Sequence, residues 1–470
     1  MVDSDKFTSG DEDERDQRLI QDLHRMYHTK VEDAQLIARM RKRLAESSAS
    51  ILYDSTGTPQ QHHMLSRQRE RPDNMSSTRA SFAEGKTWQQ RTGTIAAAVF
   101  VTLLVGSLVI VLTRAHQSSP GGPGNTLQLF GALSSIHMID TKTGWAVTGK
   151  GRIVQTTDGG VLWKDVTPVY PATLPLAARQ SVVADFLTSV MAWAAVSDAD
   201  AAKTLIFSTS DGGQRWQNTT IPTAVATQIT FVDSQHGWLL SKNPVLATSE
   251  TVEIFRSIDG GKNWATVSAA DAASTGTPPG QIPFGGDKAG LSFLDTMTGW
   301  ITGNFPLKGY IFFYVTHDGG LTWNRQIFPF SPDQASTQIA TRPPTFFNTD
   351  DGILPVSFAD LNTGRGIATV IYVTHDGGSH WQPTKPAPAA RGTADFLDVQ
   401  QGWVTDGNSL YMTSDGGQTW KTLTPGADFK NVSYLEFVSS EIGWAIGSTA
   451  TNSPSLLTTI DGGQTWTVIS

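Results

Sequence analysis

Seven copies of one eight-residue phrase, Ser/Thr-x-Asp-Gly-Gly-x-x-Trp, set the terms on which this chain can fold. They run from Thr156 to Trp163, Thr209 to Trp216, Ser257 to Trp264, Thr316 to Trp323, Thr374 to Trp381, Thr413 to Trp420 and Thr459 to Trp466. Their aspartates, Asp158, Asp211, Asp259, Asp318, Asp376, Asp415 and Asp461, follow one another at intervals of 53, 48, 59, 58, 39 and 46 residues. Non-helical repeats of roughly 40 to 50 residues point to propeller blades. Asp-Gly is a strong hairpin signal. The glycine accepts positive φ without a Cβ clash, and the aspartate side chain can bond nearby backbone N–H groups.

A second phrase, Phe/Ile-x-Asp-x-x-x-Gly-Trp, lies upstream of the first. It is written at Ile139-Asp140 to Gly144-Trp145, Phe231 to Trp238, Phe293 to Trp300, Phe396 to Trp403 and Phe437 to Trp444, with a looser copy from Phe186 to Trp193. In the fifth repeat Phe346 to Gly352 fits, but Ile353 replaces the tryptophan. Strand A then ends in Phe or Ile, strand B begins at Gly-Trp, and strands C and D flank the Asp-Gly-Gly turn. Tryptophan is a large apolar plate suited to pinning that turn to its blade, and its indole N–H needs a partner when buried. Thirteen of the 14 tryptophans belong to the repeats. The expected fold is all-β, a seven-bladed β-propeller of four-stranded antiparallel blades over residues 126–470. Blade and repeat are in phase if strand A opens near Leu127; alternatively, Leu127 to Phe130 adds to the last blade as a closing strand.

Residues 1–91 differ in kind. They carry 15 Asp/Glu and 15 Lys/Arg, with an acidic run at Asp11-Glu12-Asp13-Glu14. Apolar residues at Leu19, Ile20, Leu23, Tyr27, Val31, Ala34, Ile37 and Leu44 recur at helical spacing, so residues 17–44 read as an amphipathic helical segment available to a cytoplasmic partner. Ser47 to Arg91 turns to Ser, Gln, Arg, Pro and Met and reads as a flexible tether. Residues 92–113 hold no charge and, as a helix rising ~1.5 Å per residue, would cross roughly 30 Å of lipid bilayer hydrocarbon. Arg79, Lys86 and Arg91 precede this span and only Arg114 closely follows it, which places the N-terminus in the cytoplasm and the repeats outside it. Residues 114–125 form a Ser-, Pro- and Gly-containing linker.

The first phrase, Ser/Thr-x-Asp-Gly-Gly-x-x-Trp, resembles the Asp-box, or bacterial neuraminidase repeat. With seven blades and the Phe-x-Asp-x-x-x-Gly-Trp phrase, the repeat region is similar to the photosystem II assembly and stability factor family of cyanobacteria and plastids. The resemblance covers about the last 345 residues and implies a non-enzymatic binding propeller; in a photosynthetic host it implies help in building photosystem II. Asp-boxes also occur in sialidases, sortilin-like receptors and cellulose-active hydrolases, and a fold hosts many functions. The photosystem factors lack the cytoplasmic region and long tether, and their arginine-rich face is not obviously reproduced here.

The residues do not support catalysis. Seven box aspartates at equivalent turns lie around a rim and do not converge, so their expected role is structural. A sialidase also needs an arginine triad, an aspartate acid/base and a Tyr/Glu pair. Its Arg-Ile-Pro phrase is missing, Arg152-Ile153-Val154 being the nearest, and Tyr434 with Glu436 reads as an ordinary strand pair. No cysteine occurs, and His62-His63, His317 and His375 have no metal-ligand spacing, so neither a metal nor a cofactor is expected. Beyond Arg114 there are 19 Lys/Arg (35 − 15 − 1) and 28 Asp/Glu (43 − 15), a balance of 19 − 28 = −9 that disfavours nucleic acid.

Strand order puts the A–B and C–D turns at one end of the propeller, with the box carboxylates, and the B–C and D–A loops at the other. The longer loops, Asp271 to Asp287, Gly303 to Gly309 and Ser331 to Pro344, mark that second end as the candidate binding face. Its candidate residues are Phe284, Phe305, Lys308, Phe330, Arg342, Arg365 and Arg391, with Arg179, Lys203, Lys242, Lys288, Lys385 and Lys430 nearby. The expected function is a membrane-anchored extracytoplasmic scaffold that binds membrane or exported proteins. The alternatives are a glycan-acting hydrolase of sialidase type and a signalling receptor that uses its cytoplasmic helix.

Overall fold

The computed structural model describes residues 131–469 apart from 173, 175–181, 224, 247–248, 272–278, 390–391, 427–428 and 449–453. The helical segment, tether, membrane span and linker expected before residue 126, and the candidate closing strand Leu127 to Phe130, lie outside the described residues. Among the described residues no helix is long and apolar enough to cross a membrane.

Each repeat folds as an antiparallel meander whose register follows the two phrases. In blade 3, strands A (Ala226–Phe231), B (Gly237–Leu246), C (Ser249–Ser257) and D (Ala265–Ala270) pair in chain order. Phe231 lies opposite Gly237, which lies opposite Ser257. The trios Phe293–Gly299–Thr316, Phe396–Gly402–Thr413 and Phe437–Gly443–Thr459 repeat that register in blades 4, 6 and 7. The glycine is required because the phenylalanine ring lies over it. A Cβ at Gly237 would stand 2.5 Å from the Phe231 ring, and one at Gly402 would stand 2.2 Å from that of Phe396. Blade 1 corrects the frame read from the sequence: Met138, not Ile139, pairs with Gly144 and covers it.

Blades 1, 2, 3, 6 and 7 are separate four-stranded sheets, while blades 4 and 5 share one nine-stranded sheet. Strand B of blade 4 runs from Gly299 to Lys308, through the stretch expected to be a loop, and pairs beyond Asn304 with Gln338–Thr341. Gln338–Thr341 pairs in turn with strand B of blade 5, Asp351–Ala359. The expected loop from Ser331 to Pro344 therefore holds a short 3-10 turn, Gln334–Ser336, and a strand. An extended strand leaves a row of N–H and C=O groups to be satisfied, and this inserted strand satisfies those of both neighbours.

The A strands of blades 2 and 3, 3 and 4, 6 and 7, and 7 and 1 touch along the central channel that a propeller encloses, and the ring closes between blades 7 and 1. There the Met138 N–H donates to Glu436 Oε2 (3.0 Å), and Trp444 Nε1 donates to the Gly159 carbonyl (2.9 Å). Blade and repeat are in phase: strand A of blade 1 is Leu133–Met138 and strand D of blade 7 is Thr467–Val468.

Much of the core lies between blades. Trp193 stacks on Phe231 of the next blade with ring centroids 3.7 Å apart, and Trp238 on Phe293 and Trp403 on Phe437 at 3.6 Å. Looser stacks join Trp145 to Phe186 and Trp300 to Phe346. The indole N–H then bonds the next blade's turn: Trp193 to the Gly260 carbonyl, Trp238 to Gly319 and Trp403 to Gly462, each at 2.9 Å. Trp145 reaches Thr188, and Trp300 reaches Gly378 through the Gln326 side chain. The box tryptophans divide: Trp216 and Trp420 donate back to the preceding blade, at the Val166 and Lys385 carbonyls, whereas four others stay within their own turn. Trp163, Trp264, Trp323 and Trp466 donate to the second glycine of their own turn, pinning it as the sequence suggests.

Candidate functional site

At the box end the carboxylates are consumed by their own turns. In blade 1, the Thr156 hydroxyl donates to Asp158 Oδ1 and accepts from the Gly160 N–H, while Asp158 Oδ1 also accepts from the Leu162 N–H. Equivalent backbone N–H groups bond Asp211, Asp259, Asp318, Asp376, Asp415 and Asp461. The acidities follow from these bonds. The His380 N–H foremost holds Asp376 at about 2, and the Thr419 hydroxyl and then its N–H hold Asp415 at about 2. Both glycines of the turn sit at positive φ, 78° and 86° in Gly260 and Gly261, which an L side chain adopts only at a cost. These aspartates build turns on seven separate blades.

The described candidate residues lie on blades 4 and 5 and the loop leading into blade 4. The Phe284–Gly286 segment abuts strand B of blade 4, where a Cβ at Gly285 would stand 2.7 Å from the Phe305 ring, and Phe305 in turn packs against Tyr310 at 5.0 Å. Lys308 is exposed and lies near Asp360, whose loop also carries exposed Arg365. Phe330 is half-buried against the core of blades 4 and 5. Arg342 follows the inserted strand and is exposed to solvent, yet enough protein surrounds it for desolvation to pull its guanidinium pKa down. Arg391 and Arg179 lie outside the described residues.

The structure sorts the supporting lysines. Lys288 is fully buried, with Nζ donating to the carbonyls of Phe284 (2.7 Å), Gly285 (3.2 Å) and Gly286 (2.8 Å). Desolvation lowers its pKa to about 8. It is thus the internal brace of the Phe284 loop, not a surface cation. Lys242 pairs with Glu250 (3.4 Å) and Asp287 (3.5 Å), and Lys203 with Asp198 (3.9 Å). Lys385 lies against the Asp-Gly-Gly turn of blade 6, its N–H on the Gly417 carbonyl.

A further group, in the channel, was not singled out from the sequence. The residue preceding the ring position of strand A is His137 in blade 1, Asp185 in blade 2, Asp395 in blade 6 and Glu436 in blade 7. Asp185 Oδ2 accepts from the Phe231 N–H (2.8 Å), Asp395 Oδ2 from the Phe437 N–H (2.6 Å), and Glu436 Oε1 meets His137 Nδ1 (2.9 Å). Burial pushes Asp185 up to about 6 and Asp395 up to about 7, and in Asp395 the neighbouring Glu436 charge adds to this. Tyr434, beside them, has its phenol pKa raised well above its usual value, first by burial and then by the same carboxylates. Among the described residues no cluster of His, Asp or Glu could hold a metal ion.

No family model matches the chain, and no curated protein matches it. Solved structures do. YCF48 bound to D1 peptide is 16% identical over 70% of this chain and 93% of its own, with a TM-score of 0.44. YCF48 from Cyanidioschyzon merolae is 17% identical over 61% and 84%, with a TM-score of 0.41. The GH74 xyloglucanase from Xanthomonas campestris is 13% identical over 72% of this chain and 54% of its own, with a TM-score of 0.51. At such identities the likeness is one of fold, and the fold is a β-propeller.

Proposed function

We propose that this chain is a membrane-anchored scaffold whose propeller binds membrane or exported proteins through its loop end. The observation that carries the reading is where the repeat is broken. The box end is regular, whereas the inserted strand, the braced Phe284 loop and exposed Lys308 and Arg365 fall at the other end, on blades 3 to 5, with exposed Arg342 beside the middle of strand B of blade 5, its N–H on the Pro355 carbonyl. The chain also enters the propeller at that end, because strand A of blade 1 runs from Leu133 toward the A–B turn at Asp140. A span over residues 92–113 would hold the loop end toward the bilayer, with the propeller outside the cytoplasm and residues 17–44 within it. In a photosynthetic host, the resemblance of the two phrases makes photosystem II assembly the natural task.

Charge reversal tests the surface. With Lys308, Arg342 and Arg365 changed to Glu in the full chain, crosslinking in native membranes should recover little of the wild-type partner; undiminished recovery would refute the loop-end reading. The absence of cysteine gives a direct topology test. Val169, 93% exposed, changed to Cys should be labelled by a membrane-impermeant maleimide in intact cells, and labelling only after permeabilisation would reverse the orientation.

The hydrolase alternative has one observation in its favour, the pair of channel acids Asp395 and Glu436, since a raised carboxyl can serve as a general acid. Both already accept backbone N–H groups of the next blade. Turnover of any member of a broad glycan panel by the full chain, abolished in Glu436→Gln, would establish this reading over the scaffold.

A further inference from the structure

Three carboxyls and one imidazole of the channel do something the box aspartates do not: each ties or flanks a junction between blades. Asp395 joins blade 6 to the Phe437 N–H of blade 7, Glu436 joins blade 7 to the Met138 N–H of blade 1, and Asp185 joins blade 2 to the Phe231 N–H of blade 3. His137, on strand A of blade 1, bonds the second oxygen of Glu436 and feels the charges of Asp185 and Asp395. We infer that these groups form an acid-tightened closure, in which uptake of protons along the channel strengthens the ring at the junctions of blades 6 and 7, 7 and 1, and 2 and 3, and their release above neutral pH loosens it.

The charges that face one another decide the direction. Around the channel at this level, strand A of blade 6 offers Asp395, blade 7 Glu436 and Tyr434, blade 1 His137 and blade 2 Asp185; blades 3, 4 and 5 offer the uncharged Thr230, Ser292 and Thr345. No lysine or arginine contributes to the shifts of Asp185, Asp395 or His137. With all three acids ionised, His137 alone can answer them. A proton on Asp395 or Asp185 removes a buried negative charge and leaves Oδ2 free to keep its backbone N–H, because a protonated carboxyl still accepts.

The sign follows from linkage. A carboxyl raised from 3.8 to about 7 (Asp395) or about 6 (Asp185) keeps its proton in the folded chain at pH values where the unfolded chain has lost it. The ratio of folded to unfolded protein is therefore highest near pH 4 and falls as pH rises toward those values. His137 is raised above 6.5 although burial, the largest single influence, would lower it, because the hydrogen bond and charge of Glu436 and the charges of Asp185 and Asp395 together outweigh that burial. Its contribution is complete below 6.5 and is lost as pH rises through the folded value, which is the same direction. The Tyr434 phenol is pushed away from this range, and the lowered box aspartates titrate below it. Between about pH 5 and pH 8 the folding ratio should fall on the order of a hundredfold from Asp395 and tenfold from Asp185.

Asparagine imitates the protonated carboxyl, so the substitution separates this closure from an ordinary structural bond. In urea unfolding of the full chain in detergent, Asp395→Asn should leave the midpoint near wild type at about pH 5 and raise it at about pH 8; D185N/D395N should lose most of the pH dependence. Equal destabilisation at both pH values, or an undiminished pH dependence in the double variant, would overturn the inference. A measurement on the wild-type chain guards against a variant that does not fold. Unfolding at about pH 6 should release roughly one proton or more to the solvent, and proton uptake or no exchange would count against the closure just as directly.

Discussion

Two junctions in the same ring are built on opposite plans. Between blades 3 and 4, Trp238 is fully buried, lies flat on Phe293, and gives its indole N–H to the Gly319 carbonyl. The Arg256 guanidinium covers its other surroundings at 5.5 Å, and Gln228 makes paired bonds to Leu291. Between blades 5 and 6 the equivalent position is Ile353, which packs with Ile371, Ala387, Ala389 and Phe396. No indole of blade 5 reaches the turn of blade 6 among the described residues. Direct bonds there include the Lys385 N–H to the Gly417 carbonyl (3.2 Å) and Trp420 Nε1 to the Lys385 carbonyl (3.4 Å). A closed ring tolerates one aliphatic junction because the other six hold its shape, and local opening is cheapest where directional bonds are fewest.

Deleting the plate at the first junction should give the largest effect. Trp238→Ala removes a buried indole from between two blades and should cost about 3–5 kcal/mol in chemical denaturation. A loss below ~1 kcal/mol would mean that the plate is not what fastens this junction. Trp238→Phe keeps most of the plate and removes only the donor. It should cost about 1–3 kcal/mol, the penalty of leaving the buried Gly319 carbonyl without its partner. Adding a plate at the second junction should not help. Ile353 is only 2% exposed and its site has been refilled by small side chains, so Ile353→Trp should overpack it and destabilise by about 1–3 kcal/mol. A gain in stability would show that the two junctions differ by one residue and not by their whole packing.

The sequence reveals the blades far better than their junctions. The box phrase fixes seven hairpins because its Ser/Thr, aspartate and glycines act within eight residues, through bonds such as Leu162 N–H to Asp158, as do four of its seven tryptophans. The partner of Trp238 is 81 residues away and that of Trp444 is 285 away, so no local spacing betrays that the Gly-Trp indoles cross between blades. Counting back from the glycine would have found Met138: ring and glycine are six apart at Phe231 and Gly237, as they are at Met138 and Gly144. The channel acids were visible as residues but not as a group. Glu436 beside Tyr434 looks like any strand pair until the ring closes and places His137, 299 positions earlier (436 − 137), against it. Lys288 was misjudged for a related reason: its three carbonyl acceptors belong to a loop whose path only the packing of Phe305 defines.

The finest test removes the same atom from both kinds of junction. Trp420→Phe deletes an indole donor, as Trp238→Phe does, but the bond to Lys385 is long at 3.4 Å and the ring is only half-buried. Water can replace the donor at that carbonyl, so the expected loss is within about 0.5 kcal/mol, the range of surface substitutions. Both variants keep an aromatic ring in place, so the difference between their unfolding midpoints isolates the burial of the hydrogen bond from its chemistry. If Trp420→Phe costs as much as Trp238→Phe, then blades 5 and 6 are latched by the box tryptophan in place of the missing Gly-Trp one. The ring would then have no weak junction at all.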